Sequence, residues 1–142
     1  MSISPRNLWP DDISVTEQVP PVAILKEQGS LLGQRTKNLV EGRVSAADAE
    51  GPGFSDQDFC YEFDLVAPAL GYRYQLFRIQ HGVDFYPLGI DWDSPDNVSI
   101  SNLHGEAGIE NEEKFLEALE IIFSSEKTRK VIGSLIAQSR AA

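Results

Sequence analysis

Apolar and polar residues alternate most regularly between Asp58 and Val66, where Phe59, Tyr61, Phe63 and Leu65 fall on one side and Cys60, Glu62 and Asp64 on the other. Period two with a single apolar side predicts a β-strand with one buried and one wet face. Farther along, Tyr72 to Trp92 reads as two strands folded back about His81-Gly82. A two-residue hairpin loop needs positive φ at its centre, and Gly82 supplies it without steric cost. That turn sets a register with Gln80 opposite Val83, Arg78 opposite Phe85, Leu76 opposite Pro87 and Tyr74 opposite Gly89. The other face of the hairpin then carries Phe77, Ile79, Tyr86, Leu88 and Ile90, so both faces are partly apolar. A strand apolar on both sides is normally covered on both. Helices are expected on one, and the N-terminal arm, a second copy of the chain or a ligand on the other. Proline cannot donate a ladder hydrogen bond, so Pro87 places its strand at an edge or a bulge.

The flanking segments read as helices. Pro20-Pro21 opens the first, which runs to about Arg35 with Leu25, Gly29, Leu32 and Gly33 at three-and-four spacing on one face. Glycine inside a helix costs about 1 kcal/mol relative to alanine. Gly29 and Gly33 therefore imply close approach of the helix to the sheet, with a backbone contact to a ligand as the alternative. Lys37–Ser45 is a first strand, and Val98–Ser101 a short fifth one. Between the first two strands, Gly51-Pro52-Gly53 breaks a long polar loop. Asn111 is suited to cap a helix whose stripe is Phe115, Leu116, Leu119, Ile122 and Phe123. Ser124 or Ser125 starts another, Glu126 to about Gln138, with Val131, Ile132, Leu135 and Ile136 inward and Lys127, Arg129 and Lys130 outward. The expected architecture is α+β: an N-terminal helix, a four- to five-stranded antiparallel meander, and one or two C-terminal helices on one face. Residues 1–19 form an extended arm before a single domain at 20–139. Leu8, Trp9, Ile13 and Val15 are too apolar for a free tail, so part of the arm is expected to pack on the domain or a partner.

Charge narrows the choice of partner. The chain of 142 residues carries a net charge of −10, which disfavours nucleic acid and anionic membrane surfaces, both of which select clustered Lys and Arg. Cys60, the sole cysteine, excludes an intramolecular disulfide and reads as a small buried hydrophobe. No apolar run reaches the roughly 18–20 residues of a membrane span, and the N-terminus has no secretory pattern, so a cytoplasmic protein is expected.

Acidic residues concentrate in two blocks. Asp84–Glu113 holds eight with no Lys or Arg, and Glu41–Asp64 holds seven opposed by Arg43 alone. Asp91, Asp93 and Asp96 could converge on a hard cation, although the spacing lacks the glycine and closing glutamate of a calcium loop; turn formation explains the same residues. Cys60, His81 and Asp84 would have to meet to form a nucleophilic triad. A strand interior and a turn tip do not bring Cys60 and His81 together. No phosphate-binding glycine loop, nucleophile elbow or zinc-protease motif is present, and no motif implies a cofactor. The candidate binding surface is therefore the hairpin: Tyr72, Arg73, Tyr74, Arg78, Phe85, Tyr86 and Trp92. Its arginines, with Lys37 and Arg43, could form a base-stacking stripe. Cross-strand pairing with Glu41, Glu62 and Asp64 is the reading that suits an acidic chain.

The blocks Tyr72–Ile79 and Tyr86–Ile90, preceded by Leu31–Asn38, resemble uncharacterised small bacterial proteins, a likeness that carries no activity. The order helix, sheet, helix with an acidic surface is similar to frataxin, a metal-delivery fold. The leading expectation is an acidic, non-catalytic protein-interaction module of adaptor or immunity type. It would bind a protein partner or pair with a second copy through the sheet. The alternatives are a small-molecule or catalytic pocket between the sheet and the first helix, entered past Gly29 and Gly33, and cation binding by the acidic loops.

Overall fold

A computed structural model of the chain describes residues 6–47, 58–92 and 108–142. Residues 6–20 contain no helix or strand. Leu8 and Val15 there are 82% and 90% exposed, with Trp9 and Ile13 also in the open, so the described part of the arm does not pack on the domain. Pro21 then begins helix α1 (Pro21–Arg35), where its missing N–H would have no intrahelical partner anyway.

Thr36 ends α1. Its hydroxyl donates to the carbonyl of Val40 (2.7 Å) and accepts from the Val40 amide (3.1 Å). Lys37 and Asn38 follow with φ of 54° and 65°. This left-handed pair turns the chain back, which is why strand β1 (Glu41–Ala46) begins four residues later than Lys37. Strands β2 (Phe59–Ala67), β3 (Tyr72–His81) and β4 (Leu88–Asp91) complete an antiparallel meander in the order β1-β2-β3-β4. Helices α2 (Glu112–Ser124) and α3 (Glu126–Ala141) follow and pack together. The α+β architecture is the one expected. The Val98–Ser101 segment lies outside the described residues.

Two details of the sheet differ from the sequence reading. The β3–β4 turn is not His81-Gly82. His81 is the last residue of β3 and pairs with Leu88, and Arg78 stands opposite Asp91 rather than Phe85. Gly82–Pro87 is a six-residue loop with Phe85 at φ 66°, an unusual conformation for an aromatic residue, and a cis Tyr86–Pro87 bond. β4 occupies an edge of the described sheet, and Pro87 stands outside its ladder, in the loop. The second difference is a bulge: Phe63 pairs with Phe77 and Asp64 with Gln75, leaving Leu76 as the extra residue.

Together these corrections overturn the expectation that the hairpin is apolar on both faces. The bulge returns Tyr72 and Tyr74 to the face of Phe77 and Ile79, and the loop removes Val83 and Phe85 from the ladder. The outer face that remains carries Glu41, Arg43, Glu62, Asp64, Arg73, Gln75 and Arg78. Ion pairs cross it as charge matching suggested: Arg78–Glu62 (3.3 Å), Arg73–Asp64 (3.5 Å) and, within β1, Arg43–Glu41 (2.7 Å). This face is not uniformly wet, since Cys60, Asp64 and Val66 are buried in it.

The helices cover the opposite face. Phe115, Ala118, Leu119 and Ile122 of α2 enter the core, and the half-buried Phe123 ring tilts against Phe63 and Phe77 at 5.6 and 6.2 Å. Asn111 caps α2 by accepting from the amide of Lys114 (2.9 Å), and Ser125 caps α3 by accepting from Thr128 (3.3 Å). Replacing Asn111 with alanine is expected to lower stability by about 1 kcal/mol; an unchanged urea midpoint would show that the cap contributes nothing.

Candidate functional site

The C-terminal half of α1 and the N-terminal half of α3 stand apart over β2. Between them lies a cleft of about 880 Å3. Phe63 and Leu65 line it from the sheet, Leu31 and Leu32 from α1, Ile132 and Ile136 from α3, and Phe123 from the end of α2. Three-and-four spacing produces this arrangement. Ile132 and Ile136 share a stripe on α3, and Gly133 beside them adds no side chain to the wall. A Cβ at Gly133 would meet open space.

The charges of the lining run against those of the chain. Arg35 and Arg129 are the charged residues there, and no Asp or Glu contributes. Among the described residues neither guanidinium has an acidic partner. Arg35 sits in the last turn of α1, where the helix dipole favours a cation. Arg129 sits near the start of α3, where the dipole does not, so helix stability gives no reason for its charge. Gln28, Gln34 and Thr36 supply the remaining polarity, and the Thr36 hydroxyl is already engaged by Val40. Apolar walls with a few polar groups in a volume of this size are what small-molecule sites offer.

A second cavity, of about 550 Å3, lies beside α3 and is lined by Leu70, Tyr72, Tyr74, Val131 and Leu135 among others. Two of the hairpin residues singled out from the sequence thus face α3. The others are dispersed. Arg73 and Arg78 hold ion pairs on the outer face. Phe85 sets its edge against His81 at 5.8 Å, Tyr86 packs on Phe115, and Trp92 packs half-buried against the core. The seven are thus divided between the two faces of the sheet, the β3–β4 loop and the end of β4.

His81 is buried, not exposed at a turn tip; it lies against Phe59, Tyr61 and Phe85, with Nδ1 2.7 Å from the carbonyl of Gly82. Cys60 pairs with Gln80 and therefore points to the opposite face from His81, so no triad forms. Asp91 is exposed at the end of β4, while Asp93 and Asp96 lie outside the described residues. Among the described residues no three His, Cys, Asp or Glu side chains group to hold a metal. No helix among them is long and apolar enough to cross a membrane.

Two ionisable groups are displaced by burial. The Tyr86 phenol is pushed up to about 12, first by desolvation and then by Glu112. The Asp64 carboxyl is raised to about 6, first by desolvation and then by the neighbouring Glu62 side chain and its charge, against the pull of Arg73 and Arg78.

Gly29 and Gly33 do not line the cleft. A Cβ on Gly29 would fall on the carbonyl oxygen of Gly42, so this glycine lets α1 touch β1, and ligand access plays no part. Sequence reasoning pointed to Gly29 and Gly33 and missed the α3 wall of the cleft. Ile132 and Ile136 look like ordinary core residues, and Arg129 like one member of a solvated basic run. Comparison with protein-family models, curated proteins and solved structures returns no significant match.

Proposed function

We propose that this protein is a ligand-binding module whose site is the cleft between α1 and α3. The observation that carries this reading is the cleft itself: about 880 Å3 with Phe63, Leu65, Phe123, Ile132 and Ile136 in its walls. Apolar walls with a few polar groups in a cleft of this volume suit a small apolar molecule. A saturable, single-site response of the neutral dye Nile red is the expected result. Gly133→Trp, which projects an indole into open space, is expected to weaken that binding about tenfold with the circular dichroism unchanged. Binding that never saturates, or that ignores the tryptophan, would remove the proposal.

A second reading is supported by the arm. Leu8, Trp9, Ile13 and Val15 are exposed together in a segment that also carries Asp11 and Asp12. Exposed apolar side chains rimmed by charge are a recurring mark of protein contact. In this reading the protein is an acidic cytoplasmic interaction module that engages its partner through the arm, since the outer face of the sheet is occupied by ion pairs.

A further inference from the structure

The cleft inverts the sign of the molecule around it. The whole chain has 22 acidic against 12 basic residues, yet the charged groups lining the cleft are Arg35 and Arg129. Among the described residues neither is used in an ion pair. On the sheet, Arg43, Arg73 and Arg78 each meet a carboxylate, whereas the cleft offers its two arginines no Asp or Glu. Two arginines left open on opposite walls of an apolar cleft await an anionic group from outside the chain. Guanidinium is suited to that task because its planar fork matches a carboxylate bidentately and is weakly hydrated.

Resting on the cleft being the binding site, we infer that its ligand is an amphipathic carboxylate. Its acyl body lies on Phe63, Phe123, Ile132 and Ile136, and its head is met by Arg35 from α1 and Arg129 from α3. A neutral apolar molecule would use the walls and leave the arginines idle. A polyanion would be repelled by the net negative charge of the protein and would have no use for the walls. A monoanion with a long apolar body satisfies both halves of the lining.

Displacement of Nile red by a matched series tests this. Octanoate, decanoate and dodecanoate are expected to bind progressively more tightly, by about fourfold per methylene. Decanoate is expected to bind about tenfold more tightly than decanol. Replacing Arg35 and Arg129 together with alanine should remove that advantage and leave decanol unchanged. Replacing Lys26 and Arg140 instead, the same change in charge away from the cleft, should leave decanoate binding intact. Both pairs are exposed, so folding persists and circular dichroism verifies it.

Equal affinity for decanoate and decanol, or loss from either charge-matched pair alike, overturns the anionic head while Nile red binding keeps the cleft as a site. Failure of Nile red itself overturns both. Tighter binding of decyl phosphate than of decanoate overturns the carboxylate assignment. Displacement by a peptide of residues 6–19 at lower concentration than decanoate gives the cleft to the chain's own arm.

Discussion

Gly29→Ala is expected to cost the fold about 2–3 kcal/mol, while Gly33→Ala, one helical turn away, is expected to stabilise it by about 1 kcal/mol. The two positions share a helix and differ in what stands opposite. The added methyl at position 29 would fall on the carbonyl oxygen of Gly42, with the carbonyl carbon at 2.8 Å and the Cα at 3.1 Å. All three are backbone atoms of a paired strand and cannot rotate away. Gly42 is no freer, because its own Cβ would meet the Phe63 ring and stand 2.7 Å from the Cα of Gly29. Helix and strand would have to separate, and α1 would carry its wall of the cleft with it. At position 33 the nearest atoms are Oδ1 of Asn38 and Cβ of Glu41, both at 3.6 Å, an ordinary contact that leaves the gain in helix propensity. Urea unfolding of the two variants reads the contrast directly. Equal stabilities would mean that α1 does not rest on β1 as described.

Asp64→Asn is expected to stabilise the protein by about 1–2 kcal/mol at pH 7.5 and to have no such effect near pH 4. In the folded state the Asp64 carboxyl is raised from an ordinary 3.8 to about 6, chiefly by desolvation and then by Glu62. Between those values the folded protein holds a proton that the unfolded chain has released. Stability therefore falls as pH rises through this window, and the loss is complete above about pH 6. At 1.36 kcal/mol per pH unit such a displacement is worth about 3 kcal/mol. The half-exposed Arg73 guanidinium admits water beside the carboxylate, and screening reduces the figure to the range given. Asparagine fills the same space without a charge to desolvate. Denaturant midpoints of both proteins across pH 4 to 8 should converge at the acid end and diverge at the other. Parallel curves would show that Asp64 ionises in the fold as it does in water.

Much of this was legible in the residues. Phe59 to Leu65 announced β2, Pro20-Pro21 opened α1, Asn111 capped α2, and the arginines of the hairpin sought Glu62 and Asp64. Gly29 pointed to close packing, and the packing is there. The β3–β4 register was not legible, because Val83, Asp84 and Phe85 alternate as a strand would. Nothing in an aromatic residue announces the left-handed backbone that Phe85 adopts. The bulge left only the adjacent pair Leu76-Phe77 as a trace. The α3 wall of the cleft was not legible. A site assembled from Leu32, Phe63 and Ile132 is written in three distant places, each patterned like core, and only the gap between helices distinguishes wall from interior.

The extra residue at Leu76 also bears on how the chain could change length. Without it, Phe77 would still face Phe63 and Gln75 would still face Asp64, now in an unbroken ladder. A residue lost from the middle of β2 would instead turn the strand inside out beyond the cut, sending Asp64 toward the helices and Leu65 toward water. The bulge is thus a point in the sheet where one codon could be gained or shed without exchanging its two faces, at the cost of the buried Leu76 side chain.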